Sequence, residues 1–297
     1  MKFRFFFLAM LLSTINFSIA SETAFSKEDP SELTLNMEEF FKIRCDLDST
    51  KQVYYEWHGE MFGEVEGQKQ KHIFNVSGMN VARCFFKDGK AILTTREIML
   101  YLDPLSNKII DTWTNPWTNE EIPVMHVANS PVQNKLPIEM TLKAHKTVSN
   151  SYTLMASHPL TYPNPLYGDE RFTEHDPKKL YQAHELFQYH FSPNEPTKVS
   201  ISWSRVSHFL PWMKMGSFDG KLVFHTYGKR VNSYAKLDST IKEVVETRVP
   251  GFKNAPTCIL KNKNETSWTY FKKHFDTYLS KSSVFPIDHD LNDDICE

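Results

Sequence analysis

The chain has 297 residues and a formal net charge of −2, with 40% hydrophobic and 13% aromatic residues. That balance supplies apolar surface for a sizeable core, and it offers neither the electrostatic footprint of a nucleic-acid binder nor a basic block for an anionic membrane surface. Ten glycines against 22 phenylalanines exclude a largely disordered chain.

The N-terminus, "MKFRFFFLAMLLSTINFSIASETA", sets Lys2 and Arg4 before an apolar run that closes on Ser18, Ile19 and Ala20. This is the pattern of a Sec-type signal peptide over 1–20. Ser13, Thr14 and Asn16 interrupt the run, which falls short of the about 20 apolar residues that a span requires. The expectation is therefore export to the periplasm or medium, with no integral membrane span after cleavage. Residues 21–32 are polar and charged and read as a disordered lead-in.

From 33 to 280 the texture is that of a single domain, beginning with strands. "VYYEWHGEMFGEV" (53–65) alternates: Val53, Tyr55, Trp57, Gly59, Met61, Gly63 and Val65 share one face, and Tyr54, Glu56, His58, Glu60, Phe62 and Glu64 the other. Turn residues recur at 66–69, 87–90, 103–108 and 118–121, separating segments rich in β-branched and aromatic residues. Further strands are expected over 136–148 and 151–157. "HPLTYPNPLYGDERF" (158–172) reads as a long loop.

"DPKKLYQAHELFQYHF" (176–191) predicts a helix, capped by Asp176, with Pro177 in its first turn and an apolar stripe of Leu180, His184, Phe187 and Phe191. Strands resume over 198–210 and 221–231, joined at Asp219-Gly220. Two helices follow near 238–249 and 265–279, and 281–297 reads as an acidic flexible tail. The expected fold is mainly β: an antiparallel meander closing into a barrel-like, lipocalin- or calycin-like domain with about three accessory helices, because closure removes exposed edges.

Cys45, Cys84, Cys258 and Cys296 allow three connectivities in an oxidising compartment, and the spacing does not choose among them. Cys45 with Cys84 is the first expectation; unpaired buried thiols are the competing one. No metal and no cofactor are expected. "HELFQ" (184–188) lacks the second histidine of a zinc protease, and "DHDLNDD" (288–294) has Asp293 where a calcium loop needs glycine.

Four polar residues are the candidates for chemistry. Arg205 shares its face with Val199, Ile201 and Trp203, so an inward guanidinium must find a carboxylate, Glu185 or Glu97, or an anionic substrate group. His126 lies in "IPVMHVANS", where neither strand face is plainly exposed. It is read either as a hydrogen-bonded structural residue or as a proton shuttle. His58, between Glu56 and Glu60, is either part of a solvated face or a carboxylate-flanked base. Trp113, Trp117, Asn129, Trp203, Trp212 and Tyr270 are the candidate lining of an aromatic pocket, with a packed core as the alternative.

Six stretches, "FNVSGMNVARC", "TREIMLYLDP", "DTWTNPWTNEEIPVMHVANSPV", "PNPLYGDERF", "ISWSRVSHFLPWMKMG" and "NETSWTYF", agree in order with a known family. Together, from about residue 40 to about 275, the chain resembles the domain of unknown function 1838, found largely in bacterial and often exported proteins. The resemblance carries no catalytic residue across. The expected function is binding of a small hydrophobic or aromatic ligand in the barrel. The alternatives are a cofactor-independent isomerase, cyclase, hydratase or hydrolase working through His, Arg and carboxylate groups, and a structural or partner-binding module with no pocket.

Overall fold

The computed structural model describes residues 31–149, 151–280 and 294–297. The expected signal peptide over 1–20, the expected lead-in up to residue 30 and residues 281–293 of the tail lie outside the described residues. Ten strands make one antiparallel sheet: β1 (Glu32–Leu35), β2 (Val53–Val65), β3 (Lys71–Lys87), β4 (Lys90–Leu102), β7 (Val127–Pro137), β8 (Leu142–Lys146), β9 (Tyr152–Pro163), β10 (Leu180–Ser192), β11 (Glu195–Ser207) and β12 (Gly220–Val231). Their spatial order is β1-β8-β9-β10-β11-β12-β2-β3-β4-β7, and a separate hairpin pairs β5 (Thr112–Thr114) with β6 (Glu121–Pro123).

That order forces the sheet to curl. β7 and β8 stand near opposite ends of it, yet residues 138–141 alone connect them, a link that reaches at most about 18 Å. Laid flat, the same strands would hold β7 and β8 roughly 38 Å apart. The result is a half-barrel in which the edge strands β1 and β7 approach without pairing. The mainly β, barrel-like expectation therefore holds, with an open seam in place of full closure.

Alternation decides what each face carries. In β2 the set Val53, Tyr55, Trp57, Met61 and Val65 points into the concave side, as the sequence pattern required, while Tyr54 joins an outer cluster. Helix α1 (Met37–Arg44) fills one end of the concavity with Phe40, Phe41 and Ile43, packed among Tyr55, Tyr189 and Phe191. A capping box between Asn36 and Glu39 starts this helix. Arg230 closes it by donating to the carbonyls of Lys42 and Ile43, where a cation favours the helix dipole.

The other end is filled by the β5–β6 hairpin, a 3-10 turn at Pro211–Met213, and helices α3 (Ser267–Lys273) and α4 (Phe275–Leu279), around Trp113, Trp212 and Trp268. Helix α2 (Ser239–Arg248) covers the outer face of β3 and β4 with Ile241 and Val245. Disulfides join Cys45 to Cys84 and Cys258 to Cys296. From Ser31 onward the chain forms one compact unit.

Three expectations change. Within the segment 176–191 the chain forms strand β10 from Leu180 onward, and not a helix: Tyr181, Ala183, Glu185, Phe187, Tyr189 and Phe191 alternate inward, and β9 and β11 pair with it on both sides. Tertiary pairing and the β preference of Tyr and Phe override the cap. Asp176 accepts instead from the Lys178 backbone and, through Oδ2, from the Trp268 indole at 2.7 Å. The loop expected at 158–172 begins later, since β9 runs to Pro163. Pro159 and Pro163 are tolerated because β8 pairs only with Tyr152, Thr153 and Leu154, leaving the rest of that edge free. The helix expected at 265–279 is two short helices, α3 and α4, and α1 was not foreseen.

At the margins, Glu32 belongs to β1 and not to the lead-in. The last residues of the tail are held in place: Cys296 is bridged, Lys261 donates to Ile295 and Glu297 donates to Ile259.

Candidate functional site

Strand register puts two carboxylates on the middle of the concave face. Glu185 of β10 stands opposite Arg205 of β11, and Arg205 Nη1 donates to Glu185 Oε1 at 3.0 Å. Arg205 Nη2 donates to the Tyr181 hydroxyl. Burial opposes the guanidinium charge, but Tyr181 and Glu185 outweigh it and raise the Arg205 pKa. The ion pair expected from sequence is therefore present, with Glu185 as the partner.

Glu97 of β4 lies on the facing part of the same curve. It sits between Asn80 of β3 and Asn129 of β7 in register, and Asn129 Nδ2 donates to its Oε1 at 2.6 Å. Arg44, the last residue of α1, donates to Asn80 Oδ1 at 2.5 Å and lies over the Tyr55 ring. Burial pushes the Glu97 pKa up and repulsion from Glu185 adds to it, against the hydrogen bonds of Asn129 and Asn80 and the charge of Arg44. The carboxylates are thus unlike: Glu185 is held by a cation, whereas Glu97 is drawn towards its neutral form.

Aromatic rings share the concave face with them. The Trp57 indole lies close against Gly78 of the neighbouring strand, where an added Cβ would come within 2.8 Å of the ring. Trp203 packs between Phe187 and Phe224, with centroids at 6.2 and 5.5 Å. Tyr101, fully buried, brings its ring against Trp212 and His126, and burial lifts its hydroxyl pKa well above the ordinary value. A separate surface depression of about 520 Å³, lined by Glu64, Gln68, Gln70 and Lys221 among others, lies at the β2–β3 turn. It includes none of these residues.

The remaining sequence candidates divide. Asn129 and Trp203 face the concavity with Arg205 and Glu185. Trp113, Trp212 and Tyr270 are core residues of the plug that closes one end, and Trp117 lies beside them over Gly63. His126 is buried with Nδ1 accepting from the Tyr101 backbone N–H at 3.0 Å, so that nitrogen is committed to the edge of β4 and not to Arg205 or Glu185. Burial, seconded by the charge of Arg248, pushes its pKa down to about 3.

His58 lies on the outer face, its side chain half-exposed, against Ser77 at 3.1 Å and Glu56 at 3.7 Å. His184 and His225 sit there likewise, each hydrogen-bonded to a serine, Ser157 and Ser204. The reading of His58 as a base inside the lumen is thereby corrected: the even positions of β2 point away from it.

Sequence reasoning missed Trp57, Asn80, Tyr101, Tyr181 and Arg44, and it weighed Glu97 only as a partner for Arg205. Strand parity could have found Trp57, which shares its face with Met61; no local pattern could have brought Arg44 to Asn80. Among the described residues, no group of three or more His, Cys, Asp or Glu is arranged to hold a metal ion. No helix among them is long and apolar enough to cross a membrane. No curated protein matches the chain. One family does: that described as "Protein of unknown function (DUF1838)" matches residues 50–275.

Proposed function

We propose, from the premise that the chain belongs to the DUF1838 family, that its concave face binds a small, largely aromatic or apolar molecule. The observation that carries this reading is the grouping of Trp57, Trp203 and Phe187 around two carboxylates with different partners, Glu185 on the Arg205 guanidinium and Glu97 on the Asn129 amide. It is the combination of apolar walls and a few convergent polar groups that ligand sites share. Trp57 and Trp203 supply flat surface, while Arg205, Glu185, Glu97 and Asn129 fix orientation. Export to an oxidising compartment belongs to the same reading, and the two disulfides support it.

The test is a thermal-shift screen of the purified protein against aromatic acids, phenols and fatty acids, repeated with Trp203→Ala. A ligand that raises the melting temperature of the wild type and not of the variant supports the concave site. A ligand that shifts both equally binds elsewhere.

A second reading, acid–base catalysis on the bound molecule, is favoured by the Glu97–Glu185 contrast, since burial draws Glu97 towards its neutral, proton-donating form while Glu185 is paired with Arg205. In it Glu97 donates a proton, Glu185 accepts one, and Arg205 steadies developing negative charge. Turnover lost in Glu97→Gln with ligand affinity retained would support it; turnover retained would remove Glu97 from the chemistry.

A further inference from the structure

We infer that the concave site is built for a flat aromatic carboxylate, its ring against Trp57 and Trp203 and its oxygens received by N–H and O–H donors that the protein leaves unused. The inference rests on the small-molecule reading above and narrows its ligand to one chemical class.

The donors carry the argument. Five buried polar atoms on or beside this face have no hydrogen-bond partner among the described residues: Arg44 Nη1, Trp57 Nε1, Tyr101 Oη, Trp203 Nε1 and Arg205 Nε. Every one of them presents a hydrogen to give, and a buried donor left unmatched costs free energy. Tyr101 is 0% exposed and Arg44 8% exposed, so neither is a surface group in bulk water. Register places Trp203 and Arg205 on one face of β11, and Trp57 and Tyr101 on the same curved face from β2 and β4.

One oxygen of each neighbouring acceptor side chain is already engaged. Glu185 accepts from Arg205, Glu97 from Asn129, and Asn80 Oδ1 from Arg44. The face is therefore rich in spare donors, and its complement is a molecule rich in acceptors. Charge points the same way: burial disfavours the ionised form of Glu97, which leaves the guanidinium groups of Arg44 and Arg205 against Glu185. A carboxylate has acceptor oxygens only, and arginine receives it with charge-assisted hydrogen bonds.

The experiment is a tryptophan-fluorescence titration of the purified full chain with 2-naphthoate, its methyl ester, and 2-naphthol. These share a ring system and differ in charge and donor content. The expected result is binding of 2-naphthoate at least tenfold tighter than either neutral compound. Tyr101→Phe, which removes one donor and keeps the ring, and Trp203→Phe, which removes one donor and keeps an aromatic side chain, should each reduce the preference for 2-naphthoate over its ester several-fold. Equal affinity for the acid, the ester and the naphthol overturns the inference and leaves the concave-site reading standing, provided Trp203→Ala abolishes all three. Binding of none of them overturns both. An acid preference that survives Tyr101→Phe and Trp203→Phe undiminished also overturns the inference, because the anion is then recognised elsewhere.

Discussion

Glu97 and Glu185 face one another across the curved sheet, the first accepting from the Asn129 amide and the second from the Arg205 guanidinium. The repulsion between them raises the pKa of Glu97, where burial already acts in the same direction. A carboxyl whose pKa is higher in the folded than in the unfolded chain contributes stability that is full below its unfolded value. That contribution is lost as pH rises through the folded value. Glu97→Gln should therefore match the wild type near pH 4 and exceed it by about 1 kcal/mol at pH 8, since the variant has no charge to bury. Urea unfolding at the two pH values measures this, and equal differences at both would show that Glu97 ionises freely.

The Arg205–Glu185 pair predicts an asymmetric mutational cycle. Both side chains are about one-fifth exposed, so removing one partner strands a largely enclosed charge. Arg205→Met should cost about 2–3 kcal/mol, and adding Glu185→Leu to it should recover part of that loss, because the uncompensated charge goes with it. Chemical denaturation of the two single variants and the double variant yields the coupling energy. A double variant as unstable as the sum of the singles would mean that the pair is electrostatically idle.

How much of this the sequence carried depends on the range of the physics involved. Strict alternation in 53–65 gave β2 to the residue, and it put Val199, Ile201, Trp203 and Arg205 on one face, because period-two patterning is local; that this face is the inward one came from the sheet. The segment 176–191 misled because Asp176-Pro177 imitates a helix start, while the pairing that makes it a strand comes from β9 and β11. Glu97 and Asn129 meet only because β4 and β7 are adjacent, across an intervening hairpin. Arg44 reaches Asn80 from a helix that the sequence reading did not place. The cysteine pairing stayed open for the same reason: only the assembled sheet edge brings Cys296 beside Cys258.

The Cys258–Cys296 bridge should matter more than its position at the end of the chain suggests. It closes a loop with a sequence separation of 38. It also holds a short backbone pairing at residues 259–261 that Gln133 of β7 joins to the sheet edge through hydrogen bonds in both directions with Leu260. Replacing both cysteines by serine should lower stability by about 2–4 kcal/mol. It should also raise amide exchange at 133–136 and 259–261 more than in β2 or β3. Uniform exchange across the sheet would instead indicate a loss of global stability alone.

His126 gives the fold an acid-sensitive point. Its Nδ1 takes the hydrogen bond of the Tyr101 N–H, at the stretch of β4 beyond Met99, the last β4 residue with a β7 register partner. An imidazole ring thus stands where a ladder carbonyl would be. That nitrogen accepts only while the ring is neutral, and burial keeps it so by pushing the pKa down to about 3 from the ordinary 6.5. A group with a depressed folded pKa contributes stability that is present above its unfolded value and is lost as pH falls towards the folded one. Between about pH 6.5 and pH 3 the wild type should therefore lose stability with a slope of up to about 1.4 kcal/mol per pH unit from this residue alone. His126→Asn keeps an acceptor of similar reach and removes the titration. It should be less stable than the wild type at pH 7.5, by about 1–2 kcal/mol, through lost packing against Tyr101, and should close that gap on acidification. Denaturation midpoints at half-unit steps from pH 7.5 to 4.5 read out the two slopes, and parallel lines would assign the acid sensitivity to other groups.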